Sequence, residues 1–125
     1  MAKPEYEYFD PHVTEGFEWR PAEGDRTGHL TEMILSQDPD TGDLTRLLRL
    51  APGTDTSATG PVVHDFWEEV YLLSGELTDL RLGRRFTPGM YGCRPPGMVH
   101  GPWRTDVGCV AFEIRYRFPR EPQQG

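Results

Sequence analysis

Apolar and polar residues alternate along most of this chain with a period of two, in runs too short for amphipathic helices. GFEWRP (16–21) predicts a short strand. HLTEMILSQ (29–37) and LTRLLRL (44–50) carry the extended pattern on either side of Asp38, Pro39, Asp40, Thr41 and Gly42, a strong turn cluster, so residues 29–50 predict a hairpin. APGTDTSATGP (51–61) reads as a loop. Val62 to Leu73 is rich in β-branched and aromatic residues, and Gly75 closes that strand. ELTDLRL, RRFTPG and MYGCR continue the series. CVAFEIRYRF (109–118) alternates most cleanly, with Val110, Phe112, Ile114, Tyr116 and Phe118 on one face and Cys109, Glu113, Arg115 and Arg117 on the other. Roughly eight to ten short strands, with turns about every 8 to 12 residues, predict an all-β sandwich or small barrel.

Composition agrees. Gly 14 and Pro 12 make up about a fifth of the 125 residues, more punctuation than a helical bundle tolerates. The polar start, with Tyr6, Tyr8 and Phe9, reads as an arm over residues 1–14. One domain is expected over 15–118, with a frayed tail at 119–125. The formal charge of −7 repels phosphate backbones, so nucleic acid is not expected as a partner. Arg81, Arg84 and Arg85, and Arg115, Arg117 and Arg120, read as solvated strand faces and turns rather than a binding patch. No apolar run is long enough to span a membrane, and MAKPEYEYFD lacks the apolar stretch of a secretory signal, so a cytoplasmic protein is expected. Cys93 and Cys109 lack a CxxC spacing and are expected as free thiols.

Two of the four histidines sit in suggestive surroundings. If His64 opens an extended stretch, Val62, His64, Phe66, Glu68, Val70 and Leu72 point to one side. Glu68 would then lie among apolar neighbours, which is costly unless a cation or donor pairs with it. His100 follows a loop stiffened by Pro88, Pro95 and Pro96 and bent at Gly89 and Gly97, which places one side chain repeatably. Two imidazoles and a carboxylate make a three-point face for a divalent ion, with open positions for substrate. A satisfied core histidine and a solvated strand end are the plainer readings of each residue alone. Asp65 and Glu69 alternate to the wrong side. Tyr91 and Arg104 are weaker catalytic candidates: Arg104 could hold an anion or simply pair with Asp106. Cys93 reads as a small buried filler rather than a nucleophile. Trp67 and Tyr71 read as core or interface aromatics.

The joint pattern resembles the cupin superfamily over about residues 42–118. The second cupin motif, P-G-x5-P-x-G-x2-H-x3-N, is matched by Pro88, Gly89, Pro95, Gly97 and His100, with Arg104 in place of its Asn. The first, G-x5-H-x-H-x3-E-x6-G, is matched by His64, Glu68 and Gly75, with Val62 in place of its first histidine and Thr56 in place of its opening glycine. The resemblance implies a jelly-roll β-barrel of the RmlC-like kind with a metal in its mouth, held by His64, Glu68 and His100. The stretch EEVYLLSGELTD…PGMYGCRPPGMVHGPW…GC looks most like the ChrR-like branch, which includes zinc-binding anti-sigma domains. It is also similar to small cupin dioxygenases. The expectation is therefore a metal-dependent enzyme using iron(II), zinc, manganese or nickel on a small oxygenated organic substrate. Val62, Phe66, Val70 and Leu72 would line the pocket. The leading chemistry is dioxygenase-type C–C cleavage, with lyase, isomerase or cyclase reactions beside it. A sensing module without turnover is the alternative, and Val62 leaves open a metal-free binding barrel. An aromatic arm and an apolar outer sheet face favour a homodimer.

Overall fold

The computed structural model describes residues 2–117; Phe118, Arg120 and the tail 119–125 lie outside the described residues. Among the described residues, a single turn of 3-10 helix at Pro11–Val13, capped by Asp10, precedes ten strands. These are β1 (Arg20–Pro21), β2 (Leu30–Gln37), β3 (Leu44–Leu50), β4 (Thr54–Asp55), β5 (Trp67–Gly75), β6 (Leu77–Asp79), β7 (Arg84–Phe86), β8 (Tyr91–Arg94), β9 (Trp103–Thr105) and β10 (Cys109–Tyr116). They form two antiparallel sheets, one of six strands in the order β1-β2-β3-β10-β5-β8 and one of four in the order β4-β9-β6-β7. The fold is all-β, and no described helix is long and apolar enough to cross a membrane.

The predicted hairpin forms, with Gln37 opposite Leu44 and Leu30 opposite Leu50. Its turn closes as Gly42 N donates to Asp38 O, at a glycine whose φ of +79° most side chains avoid. Two strands are shorter than their patterns suggest. GFEWRP supplies only Arg20–Pro21, and the Val62–Leu73 pattern becomes a strand only at Trp67, where pairing with Tyr116 of β10 begins. Within the loop 51–61, Thr54–Asp55 forms β4 against β9. Gly75 has φ +80°, and a Cβ there would run into the carbonyl of Gly108, so only glycine lets β5 turn out of the sheet beside β10.

Leu50, Leu72, Cys109 and Ala111 form the buried apolar cluster, with Leu30, Leu48, Val70, Leu77 and Phe86 packed against it. The interior face of β10 is the reverse of what hydrophobic patterning alone suggests. Cys109, Ala111 and Glu113 are buried, whereas Val110, Phe112, Ile114 and Tyr116 are half-buried on the other side. Small and charged residues face inward because the far end of the interior is ionic. Arg46 reaches Glu32 Oε2 at 2.6 Å, and Glu113 Oε1 at 2.8 Å through Nε and 2.7 Å through Nη2. All three side chains are buried. Burial and the nearby Glu68 push the Glu113 carboxyl up, while Glu113 and Glu32 hold the Arg46 guanidinium charged against its own desolvation.

The N-terminal arm packs on its own chain. Tyr6, Phe9 and Phe17 form an edge-on aromatic cluster, and Lys3 Nζ donates to Thr45 Oγ1 at 3.0 Å. Trp19 lies under the guanidinium of Arg49. Tyr8 alone is fully exposed.

Candidate metal centre

Two segments far apart in sequence are stitched together by backbone hydrogen bonds. Val62 N donates to His100 O at 2.7 Å and His100 N to Val62 O at 3.0 Å, an isolated antiparallel bridge. Gly97 N donates to His64 O at 2.8 Å, and Met98 N closes a turn on Pro95 O. The proline-rich loop is thus anchored directly on the residue whose imidazole its own histidine must meet. Glu68 comes from β5, four residues after His64.

His64 Nε2 and His100 Nε2 stand 3.2 Å apart. The Glu68 carboxylate lies 3.9 Å from the first through Oε2 and 3.8 Å from the second through Oε1. His100 Nδ1 donates to the Met98 carbonyl at 3.1 Å, which leaves its Nε2 as the lone-pair nitrogen. Glu68 is 2% exposed and His100 3%.

The register decides what surrounds the carboxylate. Glu68 sits opposite Arg94 of β8 and opposite Arg115 of β10, so each neighbouring strand presents a guanidinium to it. Arg94 Nη1 donates to Oε1 and Arg115 Nε to Oε2, both at 2.9 Å. Burial alone would raise the Glu68 pKa; the two arginines outweigh it and hold the carboxyl below the usual range. Burial and the charge of Arg94 push His100 down to about 4. His64 is lowered by burial, helped by Arg115 and Arg94 against the opposing pull of Glu68. At neutral pH the site therefore holds two uncharged imidazoles and one ionised carboxylate.

That donor set is of the kind that holds a divalent ion; the two nitrogens have the spacing for one, and the carboxylate oxygens, at 3.9 and 3.8 Å from them, would have to close by about half an ångström. Two nitrogens each about 2.1 Å from one ion, at about 90–109° to each other, stand roughly 3.0–3.4 Å apart, which brackets the observed separation. The Met98 carbonyl on the far nitrogen of His100 is the kind of outer partner that orients a ligating imidazole. The two arginines take one lone pair from each Glu68 oxygen and leave one on each for a cation.

Other sequence candidates separate into those near this centre and those away from it. Phe66 stacks on His64, with ring centroids 4.4 Å apart and 14° between planes. It also walls a cavity of about 200 Å³ shared with Leu44, Arg115 and Arg117. Val62 holds His100 through its backbone. Val70 and Leu72 pack into the apolar core. Tyr91 lies on the opposite side of β8 from Arg94, 59% exposed, and donates to the Glu69 carboxylate. Arg104 is on the surface, 3.7 Å from Asp106, the plainer of its two readings. Cys93 is exposed rather than a buried filler, because alternation along β8 turns it outward with Tyr91. Tyr71 is likewise exposed, and Trp67 stacks on Tyr116. Asp65 points away, to Arg117 at 2.8 Å.

Sequence reasoning missed Arg94 and Arg115. The pattern puts Arg115 in a solvated cluster, yet it faces inward onto Glu68. The available signal was the buried carboxylate itself, which required a cation.

A family model described as ChrR Cupin-like domain matches residues 12–118. No curated protein matches the sequence. Among solved structures, a dioxygenase candidate from Nostoc punctiforme aligns with TM-score 0.71 at 20% identity over 86% of this chain, which spans 36% of that protein. An RmlC-like cupin from Shewanella frigidimarina aligns at 0.65 and 19% identity, covering 92% of this chain and 93% of its own. An acetylacetone dioxygenase from Acinetobacter johnsonii aligns at 0.64 and 17% identity, covering 89% and 74%. At these identities the likeness establishes the fold.

Proposed function

The chain belongs to the ChrR cupin-like family, and from that premise we propose that it is a metal-dependent enzyme acting on a small oxygenated organic molecule, with dioxygenase-type C–C cleavage as the leading reaction. Lyase, isomerase and cyclase chemistry use the same kind of centre. The observation that carries the reading is the convergence of His64, Glu68 and His100, whose ligand atoms all lie within 4.8 Å of one another. The fold likeness to an acetylacetone dioxygenase supports the choice of reaction class.

His64 and His100 would hold the ion through Nε2 and Glu68 through its carboxylate oxygens. A divalent ion held there supplies Lewis-acid polarisation of a carbonyl or enolate oxygen, or a redox partner for dioxygen. The residues of the chain prepare the rest. Met98 O keeps the proton of His100 on Nδ1, so Nε2 stays free. Arg94 and Arg115 keep Glu68 ionised and fix its rotamer from both sides. Phe66 and Trp103 pack against His64 and His100, shielding the imidazoles from bulk water. The exposed Tyr71 and Leu73 on the outer sheet face support a homodimer, which light scattering in solution tests directly.

Elemental analysis of protein purified without an affinity tag tests the central reading. Near-stoichiometric iron, zinc, manganese or nickel, lost in His100→Ala, is expected. Less than about a tenth of an equivalent, with none regained on adding these ions, would overturn it. Oxygen consumption on a panel of 1,3-dicarbonyls then separates an oxygenase from a second reading, a sensing module without turnover. The two ion pairs on Glu68 compete with an ion for the carboxylate, and low metal content would therefore favour the metal-free binding barrel that Val62 leaves open.

A further inference from the structure

The surroundings of Glu68 repeat on its two sides. On one, Arg94 lies 5.4 Å from the ring centre of Trp103, and Trp103 packs against His100. On the other, Arg115 lies 4.9 Å from the ring centre of Phe66, and Phe66 stacks on His64. Each guanidinium is thus held by a carboxylate at one edge and an aromatic ring at its side. That is a rigid placement for a side chain which otherwise loses much rotamer freedom on binding anything.

Each arginine spends only part of its donor capacity. A guanidinium carries five N–H groups. Among the described residues, Arg94 gives one to Glu68 Oε1 through Nη1, and Arg115 gives one to Glu68 Oε2 through Nε. Their remaining N–H groups are not buried without partners, and the side chains are 14% and 22% exposed, so both guanidiniums keep an edge open to solvent while bound to Glu68. Arg117, by contrast, is committed to Asp65 and to the carbonyl of Thr41. Arg115 also forms part of the wall of the 200 Å³ cavity beside Phe66. Two acids, Glu23 and Asp43, line the same cavity, and Asp43 Oδ1 accepts from Arg117 N.

The charge count points the same way. Two guanidiniums pair directly with the one carboxylate of Glu68, an excess of one positive charge in those contacts, with Glu113 the next acid along the network. A buried divalent ion would add to that excess. Neutral ligands do nothing to relieve it; a planar anion relieves it and uses the free edges of both forks.

We propose that the substrate of this site is an organic carboxylate, with its charged group held by the unspent N–H donors of Arg94 and Arg115 beside the His64–Glu68–His100 centre. The inference rests on the reading of that centre as the place where a small molecule binds. It makes the arginines specificity determinants and replaces Arg104, which the sequence offered for the same task.

Benzoate and its neutral isostere benzamide are the probes, measured by calorimetry on the full chain, once after chelation and once loaded with zinc. Benzoate is expected to bind at least tenfold more tightly than benzamide in both forms. Arg94→Gln and Arg115→Gln should each erase most of the ratio between the two affinities, whatever the substitution does to benzamide binding itself. The comparison on the unsubstituted protein needs no variant to fold. Equal affinity for the two probes overturns the proposal. So does a preference that appears only with zinc and ignores both arginine substitutions, because the carboxylate is then bound by the ion. Metal content is measured separately on the same samples. Zinc retained without a benzoate preference sinks this inference and spares the metal centre; a preference without retained metal does the reverse.

Discussion

His100 makes a specific demand on how the metal-free protein responds to acid. Its imidazole is buried and held near Arg94, and its pKa falls from 6.5 to about 4. The folded state therefore binds fewer protons at this position than the unfolded chain does. Linkage then requires stability to fall as pH drops below the unfolded value, and the loss to level off near the folded one. Between pH 7 and pH 4.5 the imidazole of the unfolded chain protonates almost fully and that of the folded chain only to about a quarter, which costs about 2.5 kcal/mol. His64, lowered in the same direction, adds to the slope. Glu68 acts in a lower window. Its depressed pKa contributes stability above the ordinary carboxyl range that is lost only as pH falls further. Urea denaturation of chelated protein at half-unit steps from pH 7 to 4.5 measures the slope, and His100→Gln provides the reference, since an amide does not titrate. The substitution lowers stability at every pH but should flatten the curve in this window. Parallel curves for the two proteins would falsify the assignment of a neutral, proton-refusing His100.

Three further outcomes follow from the packing. Arg46→Met leaves Glu32 and Glu113 buried with their shared cation gone, and should cost about 3–5 kcal/mol in a denaturant midpoint series; a loss under about 1 kcal/mol would mean water already solvates the network. Gly75→Ala places a Cβ against the Gly108 carbonyl at φ +80°, and should leave little soluble folded protein by circular dichroism, whereas Gly83→Ala, in open space at φ +64°, should fold with a modest loss. Val62→His should tighten zinc binding at least tenfold in a competition titration, because residues paired directly across an antiparallel bridge send their side chains to the same side, here that of the His100 imidazole. Unchanged affinity would place that side chain outside the centre.

The strands were legible from local rules, and so was the shared face of His64 and Glu68; that His100 converges on them was legible only through the resemblance to the two cupin motifs. Alternation with period two gave the strands, the Asp38–Gly42 cluster gave the hairpin, and the fixed spacing of Pro88, Gly89, Pro95, Gly97 and His100 gave the loop that delivers the second imidazole. The start of β5 was not legible. Residues 63–66 have a strand's composition, but among the described residues no neighbouring strand pairs with them, and pairing is a tertiary fact.

The arginines were hidden for a different reason. Period two divides a strand into two faces without saying which is inside, and the usual assumption, that the apolar face turns inward, holds only where the interior is apolar throughout. In β10 it fails. Cys109 and Ala111 meet the apolar cluster at one end, and Glu113 and Arg115 meet Arg46 and Glu68 at the other. A single strand thus runs from a hydrophobic core into a charged centre on the same face. The half-buried face of Val110, Phe112, Ile114 and Tyr116 looks like a core only because its real neighbours are not in the sequence window. What the sequence did hold was an unmet requirement: a carboxylate among apolar residues at position 68 needs cations. Inward-facing arginines on the flanking strands are the answer that a sheet can give, since cross-strand neighbours are the positions a buried side chain can reach without leaving its rotamer. Had Glu68 been neutralised by a metal alone, one guanidinium beside it would already be excessive; two, with donors left over, describe a centre built to receive a negative charge from outside.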